Sequence, residues 1–168
     1  MSEAGCLRDG NFQNLNVEGN TILKDTSIKG FVSGTATKTL ITSESGKIIA
    51  VGPAAAGLAG DATFTLPAVE NGLFYSFRYF GGATDTVNLL IQTAPNTVGI
   101  LGGVAHFDTG ADDTNGIPDL VYSANADNHL LTVTTPGAGT VIDVICDGTS
   151  WFVSGQVCAA TAPAFSDV

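Results

Sequence analysis

Positive charge is scarce in this sequence. Only six of 168 residues are Lys or Arg, against sixteen Asp and Glu, and charged residues of both signs make up just 13%. That is about half the usual ~25% share. The net charge of −10 repels phosphates, so no nucleic-acid partner is expected. Long hydrophobic runs are missing too. The apolar stretch Ala54 to Ala59 is short and broken by Gly57, far from the ~20 residues that span a bilayer, and no membrane partner is expected. Met1-Ser2-Glu3-Ala4-Gly5-Cys6 lacks the basic start and apolar stretch of a secretion signal, which predicts synthesis in a cytoplasm. Cysteine is limited to Cys6, Cys146 and Cys158, with no CxxC spacing, an odd number that points to thiols and away from a disulfide framework. Cys146, inside Val141-Ile142-Asp143-Val144-Ile145-Cys146, reads as a small buried hydrophobe. There is no Gly-x-Ser-x-Gly elbow, phosphate loop or dinucleotide fingerprint, and His106 and His129 stand apart from any metal-ligand spacing. No catalytic residue is assigned, and the chain is expected not to be an enzyme.

What the chain has in quantity is Gly, Thr, Ala and Val, within a 44% apolar fraction large enough for a core. From about residue 46, short apolar runs alternate with turn residues. Strands are expected at 47–51, 62–66, 73–80, 87–92, 97–101, 104–107, 119–123, 130–134, 140–146 and 150–154. In Leu73 to Phe80 the period of two is clear: Leu73, Tyr75, Phe77 and Tyr79 share one face and are the best core candidates. Asp147-Gly148 supplies a tight turn between Cys146 and Trp151, and Trp151 is expected to cap the core. The fold class is all-β: an antiparallel β-sandwich or jelly-roll-like head over residues 46–168.

Residues 1–45 read differently, as an arm and oligomerisation stem. Very short apolar steps are separated by Gly19, Asn20, Asp25, Gly30 and Gly34. Strands of three or four residues bury too little area alone, so several chains wrapping together is the physical solution. Candidate oligomer and docking contacts are Phe12, Leu15, Val17, Ile22, Leu23, Ile28 and Phe31. Charge divides the chain at the same place. Residues 1–47 carry five cations and five acids, whereas residues 48–168 carry eleven acids and Arg78 as their only cation. A neutral segment that touches something and an acidic body that faces water would account for this, as would acids that merely keep the body soluble.

The segment Asn14-Leu15-Asn16-Val17-Glu18-Gly19-Asn20-Thr21-Ile22-Leu23 resembles the turn-rich stems of bacteriophage fibres and capsid-surface proteins. Phe64-Thr65-Leu66-Pro67, Gly72-Leu73-Phe74-Tyr75 and Cys146-Asp147-Gly148-Thr149-Ser150-Trp151 are similar to parts of small β-sandwich domains in such proteins. The resemblance implies a virion surface protein that stabilises the phage head as a homotrimeric decoration, or cement, protein. Its partners would be its own copies and a major capsid or other virion protein, and its location the virion. Fibre stems repeat many times and this chain has about one copy, which favours a short decoration protein over a long fibre. The alternative is a tail-fibre or capsid-fibre tip that binds a host-surface glycan or protein.

Two further patterns overlap. Asp108-Thr109-Gly110 matches the active-site loop of retroviral-type aspartic proteases, where two carboxylates share a proton and activate water. Asn115-Gly116-Ile117-Pro118 then continues as a turn where that family needs a buried apolar segment, and no Gly-rich flap follows. Asp108, Asp112, Asp113, Asn115 and Asp119 also gather hard oxygen donors suited to calcium, though not at EF-hand spacing. A plain solvated acidic loop is the competing reading. No other cofactor is expected.

Overall fold

The computed structural model describes residues 31–32 (backbone only), 37–52, 57–82, 84–94, 98–110, 117–123 and 127–167. Among these the strands are β1 (Phe31–Val32), β2 (Thr37–Thr39), β3 (Lys47–Val51), β4 (Ala62–Thr65), β5 (Phe74–Tyr79) and β6 (Asn88–Gln92). They continue with β7 (Ile100–Asp108), β8 (Asp119–Tyr122), β9 (Leu130–Thr134), β10 (Val141–Cys146), β11 (Trp151–Ala159) and β12 (Ala164–Ser166). One 3-10 turn, Thr42–Glu44, joins β2 to β3. The all-β character expected from composition is what the structure has.

The strands form a larger sheet, ordered β1-β3-β5-β10-β11-β7-β8, and a smaller one, ordered β12-β9-β6-β4-β2. The first six strands alternate between the two sheets. Each crossing reverses the chain direction and the next restores it, so β1, β3 and β5 run parallel in one sheet. For the same reason β2, β4 and β6 run parallel in the other. This is a two-sheet coil. Later strands add antiparallel pairs: β10 with β5 and β11, β7 with β8, β6 with β9, and β9 with β12. The parallel pairing of β7 with β11 joins these into one sheet. Both sheets are therefore mixed, which corrects the antiparallel sandwich expected from the sequence. Period two specifies which face a residue takes, but pairing direction depends on where the loops carry the chain.

The inner faces of both sheets supply one core. Tyr75, Phe77 and Tyr79 from β5 are buried in it, as expected, together with Leu73 just before them. Phe64 on β4 meets Phe77 edge-on with centroids 5.2 Å apart, which locks the smaller sheet over the larger. Trp151 opens β11 at 0% exposure, against Tyr75 at 5.9 Å, and Cys146 beside it is buried as a free thiol. The turn before Trp151 is a four-residue connection, Asp147 to Ser150, between the paired Cys146 and Trp151. Asp147 Oδ1 accepts from the Thr149 and Ser150 amides and from the Thr149 hydroxyl, while Gly148 takes φ 96.

Strands from before residue 46 contribute to both sheets. The Phe31–Val32 backbone pairs with Ala50 and Val51, β2 pairs with β4, and Leu40 is 1% exposed within the core. Residues 1–30 and 33–36 lie outside the described residues.

Candidate functional site

The expected docking residues Phe12, Leu15, Val17, Ile22, Leu23 and Ile28 lie outside the described residues, and Phe31 is placed by its backbone at the edge of the larger sheet. Of the proposed calcium donors, Asp112, Asp113 and Asn115 also lie outside. Asp108 ends β7, and Asp119 opens β8 opposite His106. The Asp108 carboxylate accepts a hydrogen bond from the Gly110 amide at 2.6 Å, and the Thr109 amide donates to Ala159 O at 3.0 Å. Asp-Thr-Gly is thus a turn that leaves β7 pinned against β11. Among the described residues no three His, Cys, Asp or Glu side chains gather closely enough to hold a metal ion.

Both histidines have structural partners. His106, buried, places Nε2 3.0 Å from Ala159 O. His129 Nδ1 lies 2.7 Å from Asp167 Oδ1, and its amide donates to Ser166 O, which ties β12 to β9. Cys158 is half-buried, and burial pushes its thiol pKa up, away from the thiolate that reactive chemistry needs.

Asp85 ties together distant parts of the chain. It accepts from the Leu58 amide, from the Tyr79 hydroxyl at 2.9 Å and from the Thr86 amide at 2.7 Å. Gly57 packs so closely that a Cβ there would meet Asp85 Oδ2 at 2.7 Å. Burial, then the hydrogen bond and the negative charge of Asp85, drive the Tyr79 pKa far above its ordinary value and keep the hydroxyl a donor. This is a structural tie between two loops and β5. Asp85→Ala is expected to cost roughly 2–4 kcal/mol, because it leaves a buried hydroxyl and an amide without their acceptor. Urea unfolding measures it, and Asp85→Asn, which keeps an acceptor, is expected to lose less.

The two outward faces differ in chemistry. On the smaller sheet, cross-strand neighbours Thr37, Thr63, Leu90 and Thr132 form one row, and Thr39, Thr65, Gln92 and Leu130 the next. Gln92 Nε2 donates to Thr65 Oγ1 at 3.0 Å. These hydroxyls and amides suit contact with water.

The outer face of the larger sheet carries an apolar band beside a polar row, Ser76, Asp143 and Ser154. Phe74, Ile145, Phe152 and Leu101 are successive cross-strand partners on β5, β10, β11 and β7, so their side chains form one row. Two residues further along β7, Gly103 faces Tyr122, and Ala105 faces Leu120. Phe107 follows on the same face of β7. The row therefore turns a corner and runs down the β7–β8 edge as an L-shaped band. Exposures are 50% for Ile145, 37% for Phe152, 71% for Leu120 and 63% for Tyr122, too high for core residues. Among the described residues, the charged side chains of this face's interior are Arg78 and Asp143. Arg78 Nη1 lies 3.3 Å from Asp143 Oδ1, which also accepts from the Ser76 hydroxyl, so the pair is locally neutral.

The chain matches no protein-family model, no curated protein and no solved structure. Its outward faces and its chain path are what bear on function. Sequence reading found the core face of β5 but missed the L-shaped band. The available signal was that Phe74, Ile145 and Phe152 make their strands apolar on both faces, which half-buried strands avoid.

Proposed function

We propose that this chain is a structural, self-assembling protein of a virus particle, a homotrimeric decoration protein of a phage head. Residues 1–30 act as the arm that clamps neighbouring copies and docks on the capsid lattice. The two-sheet body, built as a compact sandwich, projects into solvent with its acids outward. The observation that carries the reading is where the chain enters the body. β1 and β2, the first turn of the coil, are the edge strands of the two sheets, so the preceding thirty residues join the body at an open sheet end. Among the described residues no strand pairs with the outer side of β1 or β2, and such an edge offers peptide groups to a strand from another chain. The core formed by the described residues runs from Leu40 to Ala159. In this reading the apolar side chains of residues 1–30 make the contacts between copies or with the particle. Burial of apolar area across several neighbours then stabilises the shell by mass action.

Light scattering on the full chain and on residues 31–168 tests this. A full-length trimer that loses its mass on truncation is the expected result. A cut at residue 46 would be a poor test, because it also removes β1, β2 and Leu40 from the body. Full-length Leu15→Asp with Val17→Asp is expected to weaken trimer and capsid docking together; retention of both would overturn the arm assignment.

A further inference from the structure

We propose that the L-shaped apolar band on the outer face of the larger sheet is a contact surface for a second copy of this chain. The inference rests on the self-assembling reading above and adds the surface through which the bodies meet.

The case for a second copy starts from charge. The chain is strongly acidic, so most of its surface repels another copy. Among the described residues of the larger sheet's strands, the charges facing outward are the Arg78–Asp143 pair, which sums to zero. The remaining acids of the described residues lie elsewhere: Glu44, Asp61, Glu70, Asp85, Asp127 and Asp147 in connections, Asp167 after β12, and Asp108 and Asp119 at strand ends. Two like-charged bodies can therefore approach here across a face whose own charges cancel. A cationic partner would be drawn to those acids instead, and this face offers it no net negative charge.

Area is the second argument. Five strands, β5, β10, β11, β7 and β8, build the face, four of them with six or nine residues. At ~4.8 Å between strands and ~3.3 Å per residue, that is roughly 24 Å by 20–30 Å. The plan area of the whole face, polar row included, is about 500–700 Å², against the ~800 Å² that each partner gives to a standard interface. Ile145 and Phe152 sit side by side near one end, and Leu120 and Tyr122 line the edge, so the apolar band borders the polar row of Ser76, Asp143 and Ser154 on two sides.

The contact has no covalent step and needs no added ligand, so the test is oligomeric state in the full chain. Ile145→Lys with Phe152→Lys puts two charges into the row at exposed positions where neither side chain supports the core. Circular dichroism and Trp151 fluorescence are expected to match the parent protein. Association, read by sedimentation across a concentration series, is expected to weaken by roughly a hundredfold or more, as burial of unpaired charge requires. In the parent protein, added salt is expected to strengthen association by screening the acids of the two bodies. An oligomer that survives both lysines and dissociates only when residues 1–30 are removed would overturn this surface and leave the arm reading intact. An oligomer that survives truncation but not the lysines would support the surface and overturn the arm. A parent chain that stays monomeric at every concentration would overturn both.

Discussion

Replacing Trp151 with alanine is expected to remove about 3–5 kcal/mol of stability, a large part of the ~5–15 kcal/mol that holds a typical domain folded. Trp151 is wholly buried at the start of β11, between Cys146 of β10 and Ile100 of β7 in the sheet, with the Tyr75 ring tilted against it at 5.9 Å. Three central strands of the larger sheet therefore lose a shared contact. The cavity would lie among strands fixed on both sides, where collapse is difficult, which favours the upper half of the range. The control is the next residue. Phe152 is 37% exposed on the opposite face, so Phe152→Ala is expected to cost about 1 kcal/mol or less. Urea unfolding followed by circular dichroism measures both, because the first variant removes the chain's one tryptophan. Similar losses in the two variants would mean that the faces of β11 are misassigned.

That contrast shows what the sequence makes legible. Alternation along a single strand is local, so the core face of β5 could be read directly from Leu73, Tyr75, Phe77 and Tyr79. The limits of β3 and β9 were equally plain, because turn residues bracket each apolar run. Features set by neighbouring strands were not. Gly102-Gly103 looked like a break between two strands at 97–101 and 104–107, whereas one strand, β7, runs through it. Gly102 holds φ 93 with the Val153 carbonyl so close that a Cβ would lie 2.3 Å from it, so glycine here permits close approach within the sheet. The coil of β1 to β6 depends on loops that cross between sheets, and nothing in the alternation encodes that crossing. The apolar band was hidden for the same reason: Phe74, Leu101, Ile145 and Phe152 become neighbours only through the register of four strands. The candidate donors Asp108 and Asp119 show the converse limit. Their clustering in sequence suggested a site, while Asp108 is used by its own turn.

The second large effect is expected in alkali. Tyr75 is wholly buried, and its hydroxyl donates to Ile41 O at 2.9 Å, which fastens the β2–β3 connection to β5. Burial, helped by the negative charges of Glu44 and Glu70, pushes its pKa from 10.0 to about 12. A raised phenol pKa means that the folded state prefers the neutral form. The preference is fully present below pH 10 and is lost as pH rises from there through about 12, because the unfolded chain can ionise first. At ~1.4 kcal/mol per unit, the two-unit shift corresponds to about 3 kcal/mol removed across that window. Tyr79, shifted in the same direction by burial and by Asp85, adds to the loss. Stability is therefore expected to fall steeply above pH 10, together with cooperative ionisation of tyrosine seen in ultraviolet absorbance. Tyr75→Phe separates this from general charge repulsion. It loses the bond to Ile41 O and so starts about 1–3 kcal/mol less stable at neutral pH, but its decline in alkali is expected to be shallower. Parallel declines in parent and variant would place the alkaline sensitivity elsewhere in the chain.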